Sequence, residues 1–328
     1  MEDLSDRPKP AFKDRSLGLL IFGIFEILIG VFCALLVPLS LVALTFTPAS
    51  MRSSTDLRSM IPAVVLYLFM AVVFIVLGIG SIRARRWACD LMLSLSWVWL
   101  LTGICTLVLA WLLMPSLLSE MGSSAGLPPR GMLLVGLVTA AILSFVYVLL
   151  PGAFVLFYRS PHVIATCRAR DLRVQWTDDC PPRILSLAVV WAITAVSVLV
   201  MPAYRFVMPF FGVLVDGAVG AVLWLLVLIV FAALAWGTCR RRLWAWWGGV
   251  FVTVVAAVSS VLTFARIDLL DFYRAIELPA DQLALLSALA TPGRGTVALL
   301  WLVVWGSFLA YLASVRKLFR TPAAKADG

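Results

Sequence analysis

The sequence predicts an all-α fold: a polytopic transmembrane helical bundle of eight spans, built as two four-helix units of parallel topology. Three observations carry this. Of 328 residues, 63% are hydrophobic and 13% charged, and the mean hydropathy is +1.05. Soluble globular chains have roughly 45–50% apolar and about 25% charged residues, so this chain has too few polar side chains to cover a water-facing surface. Eight apolar segments are long enough to cross a hydrocarbon core about 30 Å thick, which takes roughly 20 residues. These segments are continuous rather than alternating, which excludes an outer-membrane barrel.

Taken in order, residues 1–16 form an N-terminal tail with Arg7, Lys9, Lys13 and Arg15, broken by Pro8 and Pro10. No Ala-x-Ala cleavage pattern follows, so the first apolar run is expected to be retained as a true span. The first unit, 17–158, holds spans at 17–45, 61–82, 90–114 and 132–158. A polar linker, 159–183, joins it to the second unit, 184–316, with spans at 184–203, 217–239, 244–265 and 294–315. Residues 317–328 form the C-terminal tail. Phe206 to Val215 is apolar but too short to span, and Pro209 and Gly212 mark it as an interfacial or re-entrant segment. Ile267 to Ala290 mixes Leu269, Phe272 and Ile276 with Asp268, Asp271 and Arg274, a pattern suited to short surface helices broken at Pro279.

The basic residues orient these spans. The tails, the linker and the loops after spans two and six carry 19 of the Lys and Arg residues, and the opposite side carries 7. By the positive-inside rule both termini and the linker are cytoplasmic. The +9 net charge is mostly this bias. It calls for a lipid bilayer with anionic lipid at the cytoplasmic face, not for nucleic acid. All six cysteines lie in spans or on that reducing side, so no disulfide is expected.

Two stretches echo each other without a gap: Gly80-Ser81-Ile82-Arg83-Ala84-Arg85-Arg86-Trp87-Ala88 and Gly237-Thr238-Cys239-Arg240-Arg241-Arg242-Leu243-Trp244-Ala245. Gly152-Ala153-Phe154 and Gly306-Ser307-Phe308 repeat the correspondence near the end of each half. Four spans per unit is an even number, so duplicated halves enter from the same side and have parallel topology.

Catalytic signals are scarce. One histidine, His162, excludes paired-His haem ligation and a two-His zinc helix. Neither phosphate-loop nor dinucleotide glycine fingerprints are present, nor a nucleophile elbow. His162, Cys167, Asp178, Asp179 and Cys180 share the linker, but lack the close cysteine pairs of structural zinc sites. No cofactor and no metal are therefore expected. Many of the thirteen tryptophans lie near span ends, as in an aromatic belt, and deeper ones such as Trp99 and Trp191 are expected to pack.

Glu26 stands apart. It lies about nine residues into span one, roughly 13 Å along the axis at 1.5 Å per residue, which places it near the bilayer middle. Gly23, Glu26, Gly30, Cys33, Val37 and Ser40 share one stripe, the spacing of a close helix–helix interface. A charged carboxyl at that depth costs roughly 2.5–3.5 kcal/mol, so a neutral acid hydrogen-bonded to a neighbouring helix is expected, with Tyr147 of span four as its first-choice partner. Gly23 to Gly30, Tyr158 to Cys167, and Trp176 to Pro181 resemble uncharacterised bacterial polytopic membrane proteins. That resemblance implies a bacterial inner-membrane protein without a known activity. The functional expectation is a non-catalytic structural or interaction subunit with a membrane-protein partner. The alternative is a transporter or channel for a small or lipid-like substrate, using Glu26 as its intramembrane ionisable group.

Overall fold

Helix α1 (Ser16–Phe46) and helix α2 (Leu57–Ile82) run antiparallel in close contact. Glycines on both set the separation: a Cβ on Gly78 would lie 2.7 Å from the Gly23 carbonyl oxygen, and one on Gly30 would lie 3.0 Å from that of Ala71. The expected small-residue stripe is therefore the α1–α2 seam. The computed structural model describes residues 12–46, 57–125, 129–173, 177, 180–278, 283–284, 286–287 and 294–319. Asp178 and Asp179 of the linker, and Pro279, lie outside the described residues.

Helix α3 (Arg86–Ala125) follows a tight turn, and then comes α4 (Pro129–Ser144), a π-helical turn at Phe145–Leu149, and α5 (Leu150–Tyr158). The π turn has a local cause. Pro151 has no N–H for the carbonyl of Tyr147 four residues earlier, and its ring pushes against that carbonyl. The freed Tyr147 carbonyl turns toward α3 at Gly103, where a Cβ would collide with it. Helix α6 (Pro161–Arg170) lies in the linker, and α7 (Pro182–Val198) opens the second half.

Among the described residues, seven helices are long and apolar enough to cross a membrane, and α7 is a shorter apolar helix. The span expected at 184–203 stops at Val198 because the ring of Pro202 blocks the Val198 carbonyl four residues back. A short turn, Met201–Tyr204, and left-handed backbone at Arg205 and Phe206 then redirect the chain. The apolar patch that follows is a hairpin: β1 (Met208–Phe210) pairs antiparallel with β2 (Val213–Val215). Its two-residue loop puts Phe211 and Gly212 at φ of +46° and +93°, the left-handed pair a primed hairpin turn requires. Helices α8 (Gly217–Cys239) and α9 (Leu243–Arg266) come next. Two α9 hydroxyls hold the hairpin: Phe211 N–H donates to Ser259 Oγ at 3.0 Å and Gly212 N–H to Thr263 Oγ1 at 2.9 Å. Helix α10 (Leu269–Ala275) is a short surface helix where one was expected, and α11 (Arg294–Val315) closes the bundle.

Two apolar cores result. One gathers Leu19, Phe74, Met92, Phe154 and Tyr158, and the other Ile184, Leu187, Trp191, Leu234 and Leu312, while Leu91 of α3 touches both. The echoed turns also share a backbone. Ala84 and Arg241 both have positive φ, at 49° and 54°. Ala84 N–H donates to the Ser81 carbonyl and Arg241 N–H to that of Thr238, each at 2.9 Å. Arg85 N–H donates to Gly80 and Arg242 N–H to Gly237, again each at 2.9 Å. These are the paired bonds of a Schellman helix end. Gly80 and Gly237 sit under Trp87–Ala88 and Trp244–Ala245 respectively, where a side chain has no room.

The linker is pinned under the first half. Buried Asp171 accepts from the Arg86 backbone N–H at 3.3 Å, capping the start of α3, and pairs with Arg85 at 3.4 Å. Cys89 of α3 and Cys167 of α6 are joined as a disulfide, which corrects the expectation that every cysteine is a thiol. The compartment argument concerns redox conditions; it holds no information on which cysteines, 78 residues apart, the fold brings together. Cys33, Cys105, Cys180 and Cys239 are free.

Candidate functional site

Glu26 is fully buried, and two hydroxyls enclose its carboxyl group. Tyr158 Oη lies 2.5 Å from Glu26 Oε1, Ser81 Oγ lies 3.1 Å from Oε2, and the two hydroxyl oxygens are 2.9 Å apart. All three side chains are buried, and they come from α5, α1 and α2. Three close oxygen–oxygen contacts need three protons to be hydrogen bonds. An ionised carboxylate leaves only the two hydroxyl protons, so one contact stays empty. In the structure Tyr158 donates to Oε1 and Ser81 to Oε2; a neutral carboxyl donating to Tyr158 would let Tyr158 turn its proton to Ser81 and close the ring. Each group then donates once and accepts once.

The carboxyl lies nearer the arginine-bearing helix ends than the bilayer middle. Ser81 is the penultimate residue of α2, two before Arg83, and Tyr158 ends α5 beside Arg159. The depth expected from the sequence counted from the start of α1. In the fold, the stretch leading into α1 and its first turn pack on the linker and the end of α5: Lys13 N–H faces His162 Nδ1 at 3.4 Å, Arg15 N–H donates to Thr166 Oγ1 at 3.1 Å, and Gly18 abuts the Phe157 ring. Seven residues of α1 therefore precede the level at which α2 ends, where Gly23 meets Ile82.

That offset explains the partner. Tyr147, expected opposite Glu26, lies eleven residues before Tyr158, about 16 Å along the helix. Its backbone packs at Gly103 instead, and Tyr158 holds the carboxyl. The two residues missed were already inside conspicuous stretches: Ser81 in the echoed turn, Tyr158 at the linker boundary.

Aromatic rings seal the site. Phe22 stacks on Phe157 with centroids 4.0 Å apart and meets Phe154 edge-on at 5.6 Å, while Phe154 stacks against Tyr158. A cavity lies elsewhere. It is an apolar groove of about 630 Å³ between α2, α3 and α7, lined by residues such as Leu77, Leu91 and Ala192. Among the described residues, no three potential metal ligands converge. In the linker, burial pushes the Cys180 thiol up to about 12, reinforced by nearby Cys239 and opposed by Arg241. It is a poor nucleophile at neutral pH.

No family model matches the chain, and neither the curated proteins nor the solved structures include one significantly similar to it.

Proposed function

We propose that this chain is a non-catalytic integral membrane protein, a structural or interaction subunit of an assembly in the bacterial cytoplasmic membrane. The observation that carries the reading is the closed ring around Glu26. Ion-coupled transport and acid–base chemistry through Glu26 need a carboxyl that water or substrate reaches, and this one is buried, satisfied by neighbouring hydroxyls and covered by aromatic rings. Glu26 then serves as a lock between α1, α2 and α5.

The 19-to-7 distribution of Lys and Arg supports cytoplasmic termini. Counting α7, whose 17 residues meet the lower limit for a span, makes eight crossings and returns both termini to one side. The matched hydrogen bonds of the two arginine turns support duplication of a four-helix unit.

The test combines two measurements. Proteoliposomes of the purified protein, loaded with a pH-sensitive dye, are expected to show no proton flux above protein-free vesicles. Cross-linking in native membranes is expected to give a stoichiometric membrane-protein partner, equally with Glu26→Gln. A proton flux that Glu26→Gln abolishes would overturn the subunit reading in favour of transport.

A further inference from the structure

The groove between α2, α3 and α7 runs on α2 from Pro62 to Leu77, and Trp87, Leu91, Ala192 and Val196 form its other walls. Fifteen helical steps of 1.5 Å make it about 22 Å long. A volume of about 630 Å³ falls in the range of about 300–1,000 Å³ typical of small-ligand sites, and the lining is apolar apart from Ser197, as an alkyl chain requires.

The charges at one end select the kind of lipid. Two of the helices lining the groove carry an exposed arginine at the same end: Arg83 follows α2 and Arg183 opens α7. Arg83 lies six residues beyond Leu77, and Arg183 six residues before Val189, the first lining residue of α7, so each is about 9 Å past the groove along its helix. Neither makes an ion pair among the described residues. Exposed guanidinium groups at the interface suit a phosphate, which arginine holds by paired hydrogen bonds.

We propose that this groove binds one acyl chain of an anionic phospholipid, with Arg83 and Arg183 meeting its phosphate. The proposal needs the chain to be membrane-embedded and does not depend on the subunit reading. A lipid wedged here bridges the two halves, because α2 and α3 belong to the first and α7 to the second.

The test uses the full-length protein in bilayer discs of equimolar phosphatidylcholine and phosphatidylglycerol, with a photoactivatable diazirine in the acyl chains. The expected result is cross-linking concentrated on α2, α3 and α7, from phosphatidylglycerol several-fold more than from phosphatidylcholine. Native mass spectrometry after mild detergent extraction should find one phosphatidylglycerol per chain. Ala192→Trp and Val72→Trp, which fill the groove from opposite walls, should each abolish retention, and Arg83→Gln with Arg183→Gln should remove the headgroup preference while chain cross-linking persists. Wild-type cross-links spread evenly over the lipid-facing helices would overturn the proposal, as would full retention in a folded tryptophan variant. An equal yield from both lipids in the wild type would also overturn it. A failure here leaves the flux measurement on Glu26 untouched, so the two readings fall separately.

Discussion

Ser81 and Thr238 occupy the same place in two backbone-matched helix ends, and both are fully buried. In the first half the hydroxyl is one corner of a three-membered ring with Glu26 and Tyr158. In the second half Thr238 Oγ1 has no hydrogen-bond partner among the described residues, and neither has the indole nitrogen of buried Trp191. Trp191 instead stacks on Phe231 and meets Phe308 edge-on. One helix-end geometry thus carries two different interiors. The first half carries the polar lock, and in the second the matched hydroxyl is left unsatisfied, as is Ser94 Oγ on α3 of the first half. A turn motif fixes where the chain reverses; the side chains delivered by other helices decide whether a buried hydroxyl stabilises or costs free energy.

The largest effect is expected at the glycine seam of the first half. Gly78→Leu must displace the Gly23 carbonyl or move α1 bodily, and overpacking of this kind costs about 1–3 kcal/mol or more. Unfolding by sodium dodecyl sulfate titration should show a loss near the upper end of that range. A neutral Gly78→Leu would mean that α1 and α2 are not backbone-close.

Next comes the ring. Glu26→Leu leaves the Tyr158 and Ser81 hydroxyls bonded only to each other and the Ser81 proton without an acceptor, and should cost about 2 kcal/mol, given about 1–3 kcal/mol for an unsatisfied buried group and smaller values between membrane helices. Glu26→Gln reproduces the neutral acid, because its amide donates to Tyr158 and its carbonyl accepts from Ser81. It should stay within about 0.5 kcal/mol of wild type, since every hydrogen bond keeps a partner. A large loss in Glu26→Gln would show that the ring holds a carboxylate.

The comparison is sharpest at the matched pair. Ser81→Ala should cost about 1 kcal/mol, while Thr238→Val, which removes an orphaned hydroxyl at constant shape, should be neutral or stabilising. Unfolding curves should therefore show a loss for Ser81→Ala and none for Thr238→Val. Equal destabilisation would place an unseen partner beside Thr238.

The smallest effect lies at the start of α1. Asp14 accepts from the Ser16 backbone N–H and hydroxyl and pairs with Arg170. The Ser16 backbone bond above all holds its carboxyl below the ordinary value of 3.8. A depressed folded pKa makes this contribution fully present above the ordinary value and lost as pH falls through the lower, folded one. Both side chains are half exposed, so the effect is small. Stability of Asp14→Asn and of wild type, compared between pH 5 and pH 2, should converge at the acid end.

Membrane residence and helical class follow from composition and run length alone, because hydrocarbon admits only chains whose backbone is satisfied within the segment. The close α1–α2 seam was legible as well: glycine spacing is a local property of one helix, and Gly23 and Gly30 face α2 as their period requires. The echoed turns were visible as residue identity before their hydrogen bonds were known. What the sequence left open was everything that depends on axial offset between helices. α1 begins against the linker, well short of the level where α2 and α5 end, and that offset exchanged Tyr147 for Tyr158. It also brought Ser81 into the ring and moved the carboxyl toward the arginine-bearing ends. The end of α7 was written locally in Pro202, yet the hairpin beyond it depends on hydroxyls that α9 supplies from some fifty residues away. Cys89 meets Cys167 for the same reason. Periodicity reports which face of a helix is buried; only packing decides what stands opposite, because the contact belongs to two segments whose relative height neither one encodes.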